Sequence, residues 1–424
     1  MHSKLKKELP ELVKEGVISQ HIASKIENYY SLKQSTNSNR LFTVFGVLGS
    51  VLVGLGVILI LAHNWDDFPK LIKTSFAFGP LIIGQLLVGF SILKQKSKTW
   101  KEASGVFLFF AVGASMAMVS QIYNIPGNFS SYMLTWILLC TPLIYLLKSH
   151  ALALLHILFA TIYACEYGYS YNTPWMYLVF LFLLFPYYYN LLKHRFEANI
   201  TSIFNWLMPL SLVITLGAFI AKFDELIFLS YIILFGLFYN IGKLGVLEKL
   251  KLRQNGYLVL GSLGSIVLLL TASFRWIWKD VLRIEHAFFS ESSLVVVLFI
   301  LTTIVLVQLI IKRRLESFNL FHYVYIIMSV LFFVGLTDDV IPTVITNILL
   351  FVLAVNAIKI GTDKMHFGIL NYGLLIIAAL IFCRFLDTNM SFEVRGGLFV
   401  AVGVGFFITN YIMLKKQNAK KIKH

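Results

Sequence analysis

Charged side chains are scarce in this sequence. Asp, Glu, Lys and Arg together make up 13% of the 424 residues, whereas hydrophobic residues make up 58%. A soluble domain carries about 25% charged residues, because its surface has to remain hydrated. The shortage of charge therefore excludes a water-soluble globular protein and predicts that lipid surrounds most of the chain.

Cysteine and the common catalytic motifs are also rare or missing. The three cysteines, Cys140, Cys165 and Cys383, each lie inside an apolar run and form no CxxC pair, which excludes a disulfide framework and a cysteine-rich metal site. No GxxxxGKS/T phosphate loop, HExxH metalloprotease helix or GxSxG nucleophile elbow occurs in the sequence. We therefore predict no cofactor and no metal, and we leave enzymatic activity open while favouring a protein that is not an enzyme.

Apolar runs of membrane-spanning length are what the sequence has in abundance. At a rise of about 1.5 Å per residue, a helix over 41–62 covers roughly 33 Å, enough for a hydrocarbon core of about 30 Å. We predict an all-α, polytopic transmembrane helical bundle of about fourteen spans. Twelve or thirteen spans remain alternatives, because several runs are short. The predicted spans are 41–62, 74–93, 104–123, 132–147, 151–168, 174–192, 203–221, 226–242, 256–272, 293–311, 321–335, 341–358, 368–386 and 396–414.

The N-terminal segment is polar and differs from the rest of the chain. Gly16 is placed to end a first short helix and Ser19 to cap a second one. Their apolar faces are formed by Leu5, Leu9, Leu12 and Val13 and by Ile22 and Ile26. We divide the chain into a cytoplasmic helical hairpin (1–36), a multi-span membrane domain (37–414) and a basic cytoplasmic tail (415–424).

The net charge of +15 is distributed unevenly over the predicted loops. With the N-terminus inside, 28 of the 36 Lys and Arg residues lie on the inner side, which then carries +19 against −4 outside. This asymmetry is what the positive-inside rule expects, so it predicts that both termini face the cytoplasm and gives no reason to expect a nucleic-acid partner. The expected partners are the lipid bilayer and the anionic lipid headgroups of its cytoplasmic face.

Small residues recur at close-packing distance in two predicted spans. Gly46, Ser50 and Gly54 follow one another at every fourth position of the first span, and Gly397, Ala401 and Gly405 do the same in the last. Such ridges allow helix backbones to approach each other in lipid. We predict packing within the bundle, and a homo-oligomer seam is the alternative.

Three stretches carry a family resemblance. They are LVKEGVIS with the following IENYY, GVLGSVLVGLGVILILAHNWDDFPKLIK, and WKEASGVFLFFAVGASMAMVSQIYNIPGN. They resemble the predicted bacterial membrane proteins grouped as domain of unknown function 2157, and FCRFLD with the glycine-rich last span resembles the tail of related members. The resemblance implies a multi-pass protein of the bacterial cytoplasmic (inner) membrane with a short cytoplasmic N-terminal module, and it implies no particular activity.

Polar side chains in or beside the spans are candidates for function, because they are costly in lipid. His63, Asn64, Asp66 and Asp67 form a polar cluster directly after the first span. We expect this cluster to form the turn, with Asp67 capping the next helix. A substrate or ion contact is the first alternative, and a divalent-cation site is a weaker one.

Two further groups of polar residues lie at span ends. Gln121 and Asn124 lie near the end of the third span, where they either extend the first polar cluster or form hydrogen bonds between helices. Arg384 and Asp387 are three residues apart, so we expect them to pair with each other. The alternative is that Arg384 neutralises the acidic residues after the first span.

The fifth predicted span contains His156 and, ten residues later, Glu166. Ten residues is not far from three helical turns, so the two side chains are expected on roughly one face, about 15 Å apart. A proton-relay carboxylate is one reading of Glu166. We favour a hydrogen-bonded acid at the membrane boundary.

Two classes of function fit these observations. We favour a transporter-like permease of unknown substrate. Its candidate site comprises His63, Asn64, Asp66, Asp67, Gln121, His156, Glu166, Arg384 and Asp387. The alternative is a membrane scaffold or sensor whose N-terminal cytoplasmic hairpin is the interaction module.

Overall fold

A computed structural model describes seven stretches of the chain. They are residues 9–26, 67–170, 172–220, 224–282, 293–312, 318–387 and 392–422. Within these stretches the protein is helical and contains no strand, which confirms the all-α class. The chain divides into two compact units, residues 1–78 and residues 79–424.

The N-terminal unit begins with two short helices, α1 (9–14) and α2 (20–26). Gly16 has a φ of 69°, and the Val17 N–H bonds the Leu12 carbonyl at 3.0 Å, the arrangement of a glycine-terminated helix. The Ser19 hydroxyl accepts the Ile22 N–H at 3.4 Å and thereby caps α2. Both local predictions are confirmed.

In the described ranges thirteen longer helices follow, and each of the thirteen predicted spans from 74 onward corresponds to one of them. The predicted span 41–62 lies outside the described residues. The helices are α3 (Lys70–Leu93), α4 (Lys98–Tyr123), α5 (Phe129–Leu147), α6 (His150–Gly168), α7 (Trp175–His194), α8 (Asn199–Phe219), α9 (Asp224–Ile241), α10 (Gly256–Ala272), α11 (Ser293–Lys312), α12 (Val324–Gly335), α13 (Val340–Asp363), α14 (Phe367–Asp387) and α15 (Phe392–Ile422).

Nine of the helices in the described ranges are long and apolar enough to cross a membrane, namely α3 to α8, α11, α13 and α14. Four shorter apolar helices lie at Leu226–Ile241, Gly256–Ala272, Val324–Gly335 and Gly403–Ile412. A segment of 10 to 17 residues is shorter than the roughly 20 residues needed to span the hydrocarbon core. The structure therefore supports a membrane protein with several spans, and the count of fourteen stays a prediction.

Two helices are central in the larger unit. α6 packs against α4, α5, α7 and α8, and α9 packs against α8, α10, α11 and α12. α6 can do so because Ala153, Ala160 and Ala164 are fully buried along it and leave room for neighbouring helices. At its end, a Cβ added to Gly168 would lie 2.6 Å from the Ala218 Cβ of α8. In lipid, such close backbone approach is the main source of helix association.

The small residues of α15 are placed differently. A Cβ added at Gly397 or Gly405 would meet nothing within 4 Å, and Ala401 is exposed. α15 instead packs on α14, where the Asn410 amide donates to the Asn371 side-chain oxygen at 3.0 Å. The predicted close packing of this ridge within the bundle is therefore not found in the described part of the chain. The homo-oligomer alternative stays a prediction.

Candidate functional site

An open cleft of about 480 Å³ lies between the end of α6 and α8. Thr161, Cys165 and Glu166 of α6 line it, together with Tyr169 and with Ile214 of α8. Glu166 is exposed, and it supplies the acidic side chain of the cleft lining. A carboxylate that faces a cleft at the end of a membrane helix can exchange protons and bind cations from water.

The inner wall of this cleft leads into a row of buried hydroxyl groups. The Thr161 hydroxyl donates to the Ile157 carbonyl at 2.7 Å and lies 2.6 Å from the Ser211 hydroxyl of α8. The Ser211 hydroxyl lies 2.7 Å from the Tyr177 hydroxyl of α7. Ser211 is 2% exposed and Tyr177 is fully buried, so both polar groups are satisfied by protein rather than by water.

The donor and the acceptor of each of these hydrogen bonds can be assigned by counting the protons of the hydroxyl groups. Each hydroxyl carries a single proton, and that of Thr161 points to the Ile157 carbonyl. Ser211 therefore donates to Thr161, and Tyr177 donates to Ser211. The row is an ordered chain of donors that runs from Tyr177 through Ser211 to Thr161 and ends at the Ile157 carbonyl.

A second buried polar group lies nearer the opposite end of the same helices. The Tyr188 hydroxyl of α7 donates to the Asn205 side-chain oxygen of α8 at 2.6 Å, and the Asn205 amide donates to the Gln254 carbonyl at 3.0 Å. Tyr257 of α10 is buried and hydrogen-bonds to the Tyr188 hydroxyl.

We name these residues the buried polar column. It consists of Thr161, Ser211, Tyr177, Tyr257, Tyr188 and Asn205. One of its two hydrogen-bonded groups starts at the Glu166 cleft, and the other bonds to the loop that contains Gln254. Burying a polar side chain between membrane helices costs free energy. Such side chains therefore often mark the path of a substrate or an ion.

Local sequence fixes the Asn205 end of the column. Pro209 has no N–H to give to the Asn205 carbonyl four residues earlier, and Gly256 packs directly on that carbonyl, where a Cβ would overlap the oxygen. The Trp206 indole N–H donates to the Arg253 carbonyl at 2.9 Å. α8 is thereby tied to the loop before α10.

A carboxylate ties α4 to α6 at this same end of the bundle. Glu102 of α4 accepts the backbone N–H groups of His150 at 2.8 Å and Ala151 at 3.0 Å, and it also accepts the Ser149 hydroxyl. A negative charge at a helix N-terminus is favoured by the helix dipole. The His150 imidazole contacts the Tyr187 hydroxyl of α7, which brings three helices together.

His156 is separate from the cleft and from the column. It is 2% exposed and its imidazole lies 3.0 Å from the Phe180 carbonyl of α7 and 3.3 Å from the Thr141 hydroxyl of α5. The expectation that His156 and Glu166 share a face is wrong, because ten residues fall about 80° short of three full turns. His156 faces α5 and α7, whereas Glu166 faces the cleft beside α8.

Arg384 lies against α10 and the loop that follows it. Its guanidinium donates to the Ser273 hydroxyl at 3.1 Å and sits 5.1 Å from the centre of the Phe274 ring. The Asp387 side chain lies outside the described residues, so the predicted pairing with Arg384 stays a prediction.

The polar cluster after the first predicted span lies mostly beyond the described residues. His63, Asn64 and Asp66 are outside them, and Asp67 is exposed before α3, which begins at Lys70. Within the described ranges, no group of three or more His, Cys, Asp or Glu side chains is arranged to hold a metal ion.

At the end of α4, Gln121 is exposed and Asn124 ends the helix. Asn124 has a φ of 49° and its N–H bonds the Ser120 carbonyl. Asparagine adopts this left-handed conformation more readily than most residues. Asn124 thus ends α4 through its backbone, a role that differs from the predicted polar cluster or interhelical hydrogen bond.

Arg275, which follows α10, and Asp339, which directly precedes α13, form an ion pair. The Arg275 Nε lies 2.9 Å from one carboxylate oxygen of Asp339, and a terminal nitrogen lies 3.1 Å from the other. Hydrogen bonding and the positive charge of Arg275 hold the pKa of the Asp339 carboxyl below its usual range. This two-point geometry is the stronger form of an exposed pair.

Sequence reasoning missed the members of the buried polar column. Asn205 and Ser211 gave a signal, since an amide and a hydroxyl stand out in the mostly apolar span 203–221. The tyrosines gave none, because Tyr177, Tyr188 and Tyr257 belong to a chain with 20 tyrosines. Only the packing of α6, α7, α8 and α10 shows which hydroxyl groups meet.

Comparison with known families identifies the N-terminal part of the chain. Residues 10–153 match the family described as Predicted membrane protein (DUF2157). This match confirms the resemblance of the three N-terminal stretches, and it covers roughly a third of the chain. The resemblance of the tail stays a prediction. No curated protein and no solved structure matches the chain. The DUF2157 region includes Glu102 and His150, whereas the column residues from Thr161 onward follow it.

Proposed function

We propose that this membrane protein is a transporter-like permease, and that the Glu166 cleft and the buried polar column form its transport path. One observation carries the proposal. Thr161 lines the cleft and is also the first member of the hydrogen-bonded row that leads through Ser211 to Tyr177. Packing alone does not require a polar row that starts at an open cleft, because each buried polar group costs free energy in lipid.

The proposal includes fourteen spans in a bacterial cytoplasmic membrane, with both termini inside. Three contacts hold one set of helix ends together. They join Glu102 to His150, His150 to Tyr187, and Trp206 to Arg253. These ends adjoin the basic loops that the positive-inside rule assigns to the cytoplasm. Anionic headgroups are the proposed partners there, at about 1 kcal/mol for each basic residue near the surface.

Reconstituted protein tests the transport function. Proteoliposomes would be assayed with internal fluorescent indicators for H⁺, Na⁺ and K⁺ and by osmotic swelling in glycerol and urea. We expect the wild type to transport at least one of these probes and Glu166→Gln to lose that transport. Glu197→Gln changes an exposed carboxylate in the loop between α7 and α8 and is the matched control. Wild-type vesicles that pass none of the probes contradict the proposal.

A scaffold or sensor is the second candidate, and the N-terminal hairpin favours it. Leu12, Val17 and Ile22 are 37%, 67% and 47% exposed, which is unusual for three apolar residues in so short a segment. Replacing all three by Ser tests this function in the full chain. If the protein is a scaffold or sensor, its function in cells is lost in the triple variant and kept in Glu166→Gln. If it is a permease, its function in cells is kept in the triple variant and lost in Glu166→Gln.

A further inference from the structure

We infer that the Glu166 cleft binds a lipophilic organic cation that enters it from the membrane. The occupant is a small molecule with one positive charge and an apolar body. Three features of the cleft carry the inference, namely its course along α6, its apolar wall and its charge. The inference goes beyond the proposed function, because binding in this cleft requires no transport.

The cleft follows one face of α6. Leu158, Thr161, Cys165 and Tyr169 line it and recur every three or four residues, which is the spacing of one helix face. The chain rises about 16 Å from Leu158 to Tyr169, so the cleft runs from the middle of α6 to just beyond its end. Its volume of about 480 Å³ is within the range of sites for small organic molecules.

The cleft has an apolar wall and a polar end. Leu158, Ile162 and Ile214 line the wall, and all three side chains are exposed. Exposed apolar side chains of membrane helices are solvated by lipid tails, so a molecule can enter the cleft from the lipid. Glu166 lies two residues before the end of α6 and about 12 Å from Leu158 along the helix axis. The cleft therefore fits a molecule that is apolar at one end and polar at the other.

Glu166 determines which polar group is accepted. The described residues that line the cleft include no Lys, Arg or His. The Ser170 hydroxyl donates to the Glu166 backbone carbonyl at 2.9 Å. The cleft therefore attracts a positive charge and offers none to an anion. A phospholipid would bring a phosphate without a basic partner in the described lining, which favours a lipid-soluble cation over a lipid headgroup.

Tyr169 adds an aromatic ring beside the carboxylate. A Cβ added to Gly217 of α8 would lie 2.7 Å from the Tyr169 hydroxyl, so the side chain rests on α8 where glycine leaves room for it. The Tyr169 side chain is still exposed, and it lines the cleft. The face of an aromatic ring attracts organic cations, quaternary ammonium groups above all. A carboxylate and a ring in one cleft thus favour an organic cation.

Binding of tritiated tetraphenylphosphonium to the full chain in lipid nanodiscs tests the inference. Tetraphenylborate has the same shape and the opposite charge, so it is the matched probe, measured in separate samples, and empty nanodiscs give the lipid background. We expect saturable binding of tetraphenylphosphonium and no binding of tetraphenylborate above background. Glu166→Gln should weaken tetraphenylphosphonium binding by about tenfold or more, because a charged partner is lost. Glu197→Gln, in an exposed loop, should bind as the wild type does.

Two further measurements place the bound cation. Cys165 lines the cleft, so tetraphenylphosphonium should slow its modification by a maleimide, followed at this residue by mass spectrometry, and tetraphenylborate should not. Tyr169→Phe keeps the ring and should bind normally, whereas Tyr169→Leu should weaken binding by about two- to fivefold. Normal elution from a sizing column shows that each variant has folded, and the comparison of the two probes on the wild type needs no variant.

The possible results distinguish the inference from the proposed function. Equal binding of tetraphenylphosphonium to wild type and Glu166→Gln, or equal protection of Cys165 by both probes, overturns the inference. Transport that needs Glu166, without any binding of tetraphenylphosphonium, also overturns it and leaves the permease standing. Vesicles that pass no transport probe contradict the permease, and the cation site stands if tetraphenylphosphonium binding needs Glu166.

Discussion

The carboxylate of Glu102 on α4 accepts the backbone N–H of His150, at the first turn of α6, at 2.8 Å. With the Ala151 N–H and the Ser149 hydroxyl, three donors of that turn meet one side chain. The first N–H groups of a helix have no partner within the helix itself. Glu102 therefore caps α6 from a neighbouring helix and fixes the position of α4 relative to the central helix.

The first prediction concerns this cap. Glu102→Gln removes the negative charge and leaves a single acceptor oxygen for three donors, so the free energy of unfolding should fall by about 1–3 kcal/mol. Thermal unfolding in detergent would measure the change. Glu197→Gln, in an exposed loop, is expected to shift stability by less than about 0.5 kcal/mol. Equal effects of the two variants would show that the cap contributes nothing specific.

The second prediction concerns glycines with and without neighbours. A Cβ at Gly113 of α4 would overlap the Trp136 ring of α5, whereas a Cβ at Gly397 of α15 would meet nothing within 4 Å. Gly113→Ala should therefore destabilise the protein by about 1–3 kcal/mol through overpacking. Gly397→Ala should be neutral or stabilise by up to about 1 kcal/mol, since alanine favours a helix.

Thermal unfolding of both glycine variants, purified side by side, checks this pair. A strong loss of stability in Gly397→Ala would mean that another helix covers the ridge of α15. If the loss of stability in Gly397→Ala depended on protein concentration, the covering helix would belong to a second copy of the chain.

The local parts of the fold were predictable because their causes are local. A run of apolar residues long enough for the membrane forms a helix wherever it occurs, and so every predicted span from 74 onward is helical. Gly16 and Ser19 act on backbone groups within five residues of themselves. Such effects need no knowledge of which helices are neighbours.

The candidate site was not predictable in the same way, because its members are far apart in the sequence. Thr161 and Ser211 are separated by 50 residues, and Tyr188 reaches Asn205 on another helix. Polarity marked Glu166 correctly as a residue of a wet surface. It also marked His156, which is a buried histidine whose hydrogen bonds are met by α5 and α7.

The third prediction follows from that placement of His156. His156→Gln loses part of the bonding to the Phe180 carbonyl and the Thr141 hydroxyl, so stability should fall by about 1–3 kcal/mol. Transport should persist in the folded fraction, because the residue lies outside the column. Flux normalised to folded protein in vesicles measures this, and a loss of flux as large as that of Glu166→Gln would place His156 in the path.

The fourth prediction concerns the ion pair between Arg275 and Asp339. The pKa of Asp339 is lowered in the folded protein, so the pair stabilises the fold above the unfolded pKa of an aspartate, about 3.9. That contribution is lost as the pH falls through the lower folded pKa. The difference in melting temperature between wild type and Arg275→Ala should be present near neutral pH and vanish in acid.

High salt should also reduce this difference at neutral pH, because the pair is exposed and therefore screened. Lys364→Ala, which removes an exposed cation elsewhere, provides the control. A difference between wild type and Arg275→Ala that did not change with pH would mean that Arg275 acts through packing.

The fifth prediction uses Cys165, which lines the cleft beside Glu166 and lies near the end of α6. If the N-terminus is cytoplasmic, the fifth predicted span ends outside, and a membrane-impermeant maleimide added to intact cells should modify Cys165. Cys140 is 2% exposed and should react only after unfolding, so it serves as an internal reference. The Cys165→Ser variant should lose the maleimide label that Cys165 acquires in intact cells. Modification of Cys165 only in inverted vesicles would reverse the topology, and its resistance to the reagent from both sides would show that the cleft holds no water.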